Sequence, residues 1–291
     1  MSNRPTPKIT INGIQLSYTE RLPNCTNPQA PILLLHGLIA TTETFAALIA
    51  HLPEDRRIIA LNLPGTPILG TTPDVSFAGL AQLVYSFSQQ LNLRHPIILG
   101  HSHGGAITLQ LASSFPAFAS DLILLCPAHP FLLRERALVA FYLSAPGRAV
   151  AHALPWLPRF LQLLGFQRML GPVGRRSVID FDSYREHLSA PGTIGAVLRM
   201  LATWSHDMDR LGTDLANRPI EIPTLILWGD RDIVVPVETA SALERHLTQC
   251  EQRTLKGAGH LPNEEAPEVC ANLISEWLVS LLKAANRDTA S

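Results

Sequence analysis

Pro96-Ile97-Ile98-Leu99-Gly100-His101-Ser102-His103-Gly104-Gly105-Ala106-Ile107-Thr108-Leu109-Gln110-Leu111-Ala112 is the stretch around which the chain is organised. Residues 96–99 read as a buried strand and 106–112 as a helix. Ser102 therefore sits on a turn one residue wide, the context in which a Gly-x-Ser-x-Gly pattern carries meaning. Side chains at 100 and 104 would collide with a chain folded so sharply, and glycine tolerates the backbone angles that bulkier residues avoid. Such a turn lifts the Ser102 hydroxyl out of the sheet edge and aims the following amides beside it.

The surrounding sequence supports a large, compact fold. The chain has 291 residues, 46% hydrophobic and 16% charged, which excludes disorder and allows a sizeable core. A formal net charge of −1 gives no whole-chain argument for nucleic acid or for an anionic membrane. The four cysteines, Cys25, Cys126, Cys250 and Cys270, match neither a disulfide framework nor a metal knuckle. Cys126 ends an apolar strand and is expected as a buried thiol. The start, Met1-Ser2-Asn3-Arg4-Pro5, lacks the apolar stretch of a signal peptide, and no run is long enough to span a membrane. A reduced, cytoplasmic setting is the expectation.

Residues 8–20 alternate about Asn12-Gly13, a hairpin signal. Pro31-Ile32-Leu33-Leu34-Leu35 and Arg57-Ile58-Ile59-Ala60-Leu61 read as strands, the first ending at His36-Gly37. Helices are expected at 44–51 and 76–91, the second on the stripe Phe77, Leu80, Ala81, Val84 and Phe87. A strand at 121–125 follows the serine helix. This alternation argues for a mostly parallel α/β sheet, doubly wound with helices on both faces and an N-terminal hairpin. The rhythm breaks at Pro127. Residues 127–218 hold no convincing strand and read as a helical insertion, with pieces near 132–143, 148–154, 157–169 and 193–204. It divides a core of 1–126 and 219–291. A strand at 223–228, a helix at 236–247, a strand at 251–255 and a helix at 267–284 close the core. The tail from Asn286 is expected to be disordered.

A serine hydroxyl needs a base within hydrogen-bond reach, and that base needs an orienting acid. The chain offers Trp228-Gly229-Asp230-Arg231-Asp232 just past one strand and Gly257-Ala258-Gly259-His260 just past the next. Loops at the carboxyl ends of parallel strands line one crevice, so residues distant in sequence meet there. Asp230 and Asp232 compete for the role of acid; the alternative for Asp230 is a turn residue accepting local amides. The alternative for His260 is a surface loop histidine. A metal between His101 and His103 is rejected, because two histidines flanking a buried turn point apart.

On His36-Gly37-Leu38, the serine turn, Trp228 to Asp232 with Val235-Pro236 beyond, and Gly259-His260, the sequence resembles the α/β-hydrolase superfamily from about residue 8 to 284. The resemblance implies Ser102 as nucleophile, His260 as base and Asp232, favoured over Asp230, as its orienting acid. It implies an oxyanion hole from the backbone amides of Leu38 and His103, donors worth about 3–4 kcal/mol each in barrier. His36 and Gly37 would support that loop; His101 is expected to pack and make local hydrogen bonds. The family's usual aspartate after the fourth strand is Asn62 here, in Asn62-Leu63-Pro64-Gly65-Thr66-Pro67, a departure that bears on pocket shape.

The insertion takes the place of the cap seen in many relatives. Its apolar stretches, 137–143 and 154–157, are read as helix faces packing on the core, as an apolar substrate channel, or as a lipid-facing surface. Residues 127–200 carry nine arginines (134, 136, 148, 159, 168, 175, 176, 185 and 199) against Glu135, Asp180, Asp182 and Glu186. That excess is either a solvated surface or a site for the anionic end of an acyl substrate. The expected activity is hydrolysis of an ester, thioester or related acyl bond of a small, largely apolar molecule through an acyl-serine, with no metal or organic cofactor. Carbon–carbon bond hydrolysis and acyl transfer use the same triad, and a non-catalytic member that closes its cap over a small molecule is the alternative of a different kind. The sequence carries no signal for an oligomeric state.

Overall fold

The computed structural model describes residues 6–64, 74–132, 134–177 and 179–288. Eight strands form one sheet: β1 (Lys8–Ile11), β2 (Ile14–Arg21), β3 (Gln29–Leu35), β4 (Arg56–Leu61), β5 (Ile97–His101), β6 (Asp121–Leu125), β7 (Thr224–Gly229) and β8 (Cys250–Leu255). Their spatial order is β1-β2-β4-β3-β5-β6-β7-β8. The β1–β2 hairpin turns on Asn12 (φ +49°) and Gly13 (φ +78°), and joins the sheet through an antiparallel β2–β4 pair. Every pair from β4 to β8 is parallel.

The inner parallel strands β3 to β7 are apolar over most of their length because each is covered on both faces, whereas the edge strand β8, with Glu251, Gln252, Arg253 and Thr254, is polar and partly exposed. Leu33, Leu35, Ile59, Leu61, Ile98, Leu122, Leu124 and Ile226 point into one core, with α2 (Phe77–Gln90) and α3 (His103–Ser114). Their neighbours Ile32, Leu34, Ile58, Ala60, Leu99, Ile123 and Leu225 point into the other, with α1 (Ala46–His51) and α11 (Pro267–Asp288). Ser76 caps α2 by accepting the Gly79 amide.

The chain leaves β3 to form β4 on one side and returns to form β5 on the other. That reversal opens a crevice at the carboxyl ends of β3 and β5, where ligands bind in such sheets. Between β6 and β7 come α4 (Arg134–Leu143), α5 (Ala145–Ala153), α6 (Arg159–Met169), α7 (Phe181–Ser189) and α8 (Thr193–Asn217). No strand occurs there among the described residues. After β7 come α9 (Ala240–Glu244) and α10 (Pro262–Glu265).

Four expectations are corrected. Helix α7, Phe181-Asp182-Ser183-Tyr184-Arg185-Glu186-His187-Leu188-Ser189, is missing from the expected pieces; its apolar stripe is short, Phe181, Tyr184 and Leu188, and it is secured by the Asp180 carboxylate on the Ser183 amide. Helix α8 runs past 204 to Asn217, because Trp204, Met208, Leu211 and Leu215 continue one buried face and enter the same core as α2 and α3. The helix expected at 236–247 is reduced to a 3-10 turn at Val237–Thr239 and α9. The last helix continues to Asp288, where the strong helix formers Ala284 and Ala285 and the lack of glycine or proline let it extend beyond Asn286. Gly65, Thr66 and Pro67 lie outside the described residues.

The packing of α3 against the end of β3 depends on a close backbone approach at Gly104. A Cβ there would strike the Leu35 carbonyl. Gly104→Ala is expected to destabilise the fold by about 2 kcal/mol or more, an overpacking cost, read as a lower midpoint in denaturant. An unchanged midpoint would contradict this close approach.

Candidate active site

Ser102 occupies the turn between β5 and α3 with φ +51° and ψ −115°. A non-glycine residue holds such angles only where its surroundings impose them. The surroundings are visible. The Ser102 amide donates to Leu125 O at 3.0 Å, and its carbonyl accepts from Gly105 at 2.8 Å and Ala128 at 2.9 Å. A Cβ on Gly100 would strike Thr108 and the Gly104 backbone, and one on Gly105 would strike Pro127. A Cβ on Gly37 would lie 3.1 Å from His101 Nδ1 and 3.2 Å from Ser102 Cβ, so the loop after β3 rests directly on the serine turn.

The loops after β7 and β8 bring the other two side chains in. His260 Nδ1 lies 2.8 Å from Asp232 Oδ2, and His260 Nε2 lies 3.0 Å from Ser102 Oγ. A carboxylate only accepts, so the Nδ1 proton points to Asp232 and the Nε2 lone pair faces the serine hydroxyl. Asp232 and His260 are buried, 6% and 5% exposed. The other Asp232 oxygen accepts from Val234 at 2.8 Å and Val235 at 3.0 Å, so the loop holds the acid by its own amides. Trp228 closes that loop by donating its indole N–H to Val235 O at 2.7 Å. Asp230 does not approach His260; its carboxylate accepts the Gly257 amide at 2.6 Å.

The histidines around Ser102 are tied into the scaffold. His101 donates Nε2–H to His260 O at 2.8 Å. His103 stacks on Trp204 with ring centroids 5.6 Å apart and also contacts Phe77. His36 donates Nδ1–H to Gly37 O at 2.8 Å and accepts the Leu63 amide on Nε2 at 3.0 Å. Burial lowers His36 to about 4 and both His101 and His103 to about 3, so all three are neutral at pH 7. Asn62 accepts the Thr42 amide at 2.9 Å and donates to Ser17 Oγ at 3.0 Å; it buttresses the loop after β3.

Leu38 and Ile39 line one cavity with Ser102. Neither the Leu38 nor the His103 amide donates to a protein acceptor among the described residues, and as the first residue of α3 His103 has no intrahelical partner. Ile39 has φ +55°, an outlying conformation for a β-branched residue. Cys126, Asp232 and His260 place possible ligand atoms within 4.8 Å of one another. Burial and the Asp232 charge push the Cys126 thiol well up, against the thiolate that metal binding requires.

The model of the alpha/beta hydrolase fold family matches residues 30–267. The chain belongs to the α/β-hydrolase family. This hydrolase is similar to the magnesium-chelatase 30 kDa subunit of Rhodobacter capsulatus, at 31% identity covering 85% of the chain and 86% of that protein. It is similar to the Homo sapiens monoacylglycerol lipase ABHD6, at 26% identity over 88% of the chain and 77% of that protein. Among solved structures it resembles a thermophilic esterase from Thermogutta terrifontis, with TM-score 0.74, 25% identity, and coverage of 95% and 99% of the two chains.

The cavity of this hydrolase beside Ser102 has a volume of about 540 Å³. Its walls are mainly apolar: Leu138, Val139, Ala151 and Leu154 from α4, α5 and the turn after them, Ile194, Val197 and Leu201 from α8. None of the arginines between 127 and 200 is among the described lining residues; Glu135 is, and burial raises its carboxyl to about 7. Arg136 and Arg159 pair instead with Asp209 at 2.5 Å and Asp182 at 2.9 Å.

One residue escaped the sequence reading. Glu265 is 2% exposed and accepts amides from Gly171, Gly259 and Leu261 at 2.8–3.0 Å. Two of these flank His260. Met169 O accepts the His260 amide itself at 2.8 Å, and Val173 donates to Gly257 O at 3.1 Å. In Glu264-Glu265-Ala266-Pro267 a buried carboxylate looks like any acidic first turn of a helix; the only hint was its place five residues after His260.

Glu265→Gln turns one acceptor oxygen into a donor facing N–H groups. It is expected to lower stability by about 1–3 kcal/mol and to cut kcat at least roughly tenfold with little change in KM. Wild-type kcat in a folded Glu265→Gln protein would contradict this positioning role.

Proposed function

We propose that this α/β hydrolase cleaves an ester, thioester or related acyl bond of a small, largely apolar molecule through an acyl-serine intermediate. The observation that carries this reading is the continuous hydrogen-bonded series Ser102–His260–Asp232 at the wall of an apolar cavity. In the first step Ser102 Oγ bonds to the acyl carbon as its proton passes to His260 Nε2. Asp232 stabilises the imidazolium and holds its orientation. The carbonyl oxygen, now negative, takes hydrogen bonds from the amides of Leu38 and His103. His260 then protonates the leaving alcohol or thiol as the carbon–heteroatom bond breaks. Water repeats the sequence with His260 as base, releasing the acid and restoring the Ser102 hydroxyl.

Residues 127–218 act as the cap, with the second half of α8 as its anchor in the core. The cap supplies most of the apolar wall, which accounts for a preference for aliphatic acyl groups. The monoacylglycerol lipase and esterase relatives support acyl-ester chemistry. A second reading is binding of a small molecule without turnover; one relative, at 31% identity, is named as a subunit of a magnesium chelatase and not as a hydrolase.

A fluorophosphonate probe separates the two. The expected result is stoichiometric labelling of wild type that is lost in Ser102→Ala and slowed at least about a thousandfold in His260→Ala. Well-folded wild type that resists the probe would favour the binding reading. Glu135 gives a further test on aliphatic p-nitrophenyl esters. Its carboxyl ionises as pH rises through about 7, placing a charge that acyl binding must desolvate. KM for long acyl esters is expected to rise roughly three- to tenfold from pH 6 to pH 8, and this rise is expected to vanish in Glu135→Gln. Parallel profiles for wild type and Glu135→Gln would contradict the assignment of the acyl site to this cavity.

A further inference from the structure

Helix α6 is apolar on two faces. Its inner face, with Leu163, Phe166 and Met169, packs against Phe181 and Leu261. Its outer face carries Phe160, 67% exposed, and Leu164, 58% exposed, one turn apart, with Leu161 beside them. Trp156, in the 3-10 turn just before α6, is 87% exposed. An apolar helix face is usually covered by packing, yet nothing among the described residues covers this outer one. Contiguous exposed apolar surface of this kind marks an interaction site.

The charges nearby select the partner. Arg168 continues the Phe160–Leu164 stripe by one more turn. Arg148 is exposed on α5, which runs into the Trp156 turn, and Arg175 and Arg176 are exposed in the 3-10 turn after α6. Asp182, the acidic residue paired in this region, is held by Arg159. Bulky apolar side chains among arginines suit the interface of an anionic bilayer, where the rings enter the acyl boundary and the guanidinium groups meet phosphate. The geometry excludes a straight span: no single described helix is long and apolar enough to cross a membrane, and the α4–α5 pair bends by 88°. The same face adjoins the Ser102 cavity, since Leu154, two residues before Trp156, lines it.

We propose that the outer face of α6 with Trp156 is a docking surface for an anionic phospholipid bilayer, on which the protein lies with its apolar cavity beside the membrane. The surface does not depend on the reaction assigned to Ser102, and Ser102→Ala is expected to bind vesicles as wild type does. A failure of that reaction would leave docking intact, and a failure of docking would leave serine labelling intact.

Fluorescence provides a direct test. Of the four tryptophans, Trp204, Trp228 and Trp277 are buried, so lipid quenching reports on Trp156. The full chain is mixed with phosphatidylcholine vesicles with and without about one-third phosphatidylserine, including brominated lipid, and is also sedimented with them. The expected results are a blue shift, quenching by brominated lipid, and sedimentation that strengthens with phosphatidylserine and weakens in high salt. Phe160→Ser/Leu164→Ser is expected to reduce partitioning about tenfold or more without changing the circular dichroism spectrum. Absence of quenching, partitioning unaffected by the double substitution, or a dimer that buries Trp156 in place of lipid would each overturn the proposal.

Discussion

Ser102 is held in a left-handed backbone conformation between β5 and α3, and the rest of the site is arranged around that constraint. The conformation costs of order 1–3 kcal/mol. It persists because the turn has no freedom left: Gly100, Gly104 and Gly105 each lie where a Cβ would enter neighbouring atoms, and the Ser102 carbonyl is taken by three amides, those of Gly105, Ala106 and Ala128. One consequence is a hydroxyl directed into the crevice. The other is a helix that begins at His103 and leaves its first amides without intrahelical partners.

The second constraint is the coupling of the helical insertion to the histidine loop. Gly171 and Gly259 meet backbone to backbone, as do Gly229 and the 258–259 carbonyls. Met169 O and the Glu265 carboxylate take the amides of His260 and its neighbours. His260 is therefore located by the insertion as much as by the sheet. These contacts fix the 169–174 segment to the histidine loop, whereas α4, α5 and α8 supply the apolar wall of the cavity. The exposed Trp156 and the cavity wall at Leu154 share one short run of chain in this insertion.

The sheet and the converging residues were legible in the sequence for identifiable reasons. Strands buried on both faces become continuous apolar runs, as in Ile32 to Leu35. Loops after parallel strands share one side of the sheet, so Ser102, Asp232 and His260 could be placed together before any distance was known. The choice of Asp232 over Asp230 needed a family resemblance, because both follow β7; the structure shows each accepting amides, with only Asp232 reaching His260. What stayed hidden depends on contacts made at long range. Glu265 acts on amides of Gly171, 94 residues away in the chain. The strain at Ile39 has no compositional mark, and the stripe of helix α7 is only three residues long, Phe181, Tyr184 and Leu188. The arginine excess of the insertion left a solvated surface and an anion site both open, because a charge count carries no direction; none of those arginines is among the described residues that line the cavity.

The central claim is that a serine hydroxyl, activated across the chain by His260 and Asp232, becomes covalently acylated. The most direct test is mass spectrometry of the protein quenched in acid during turnover of a slowly deacylated aryl ester. The account predicts a mass increase of one acyl group, located on the peptide containing Ser102 and absent from His260→Ala. Turnover with no acylated protein, or acylation on Cys126 or another residue in its place, would contradict it.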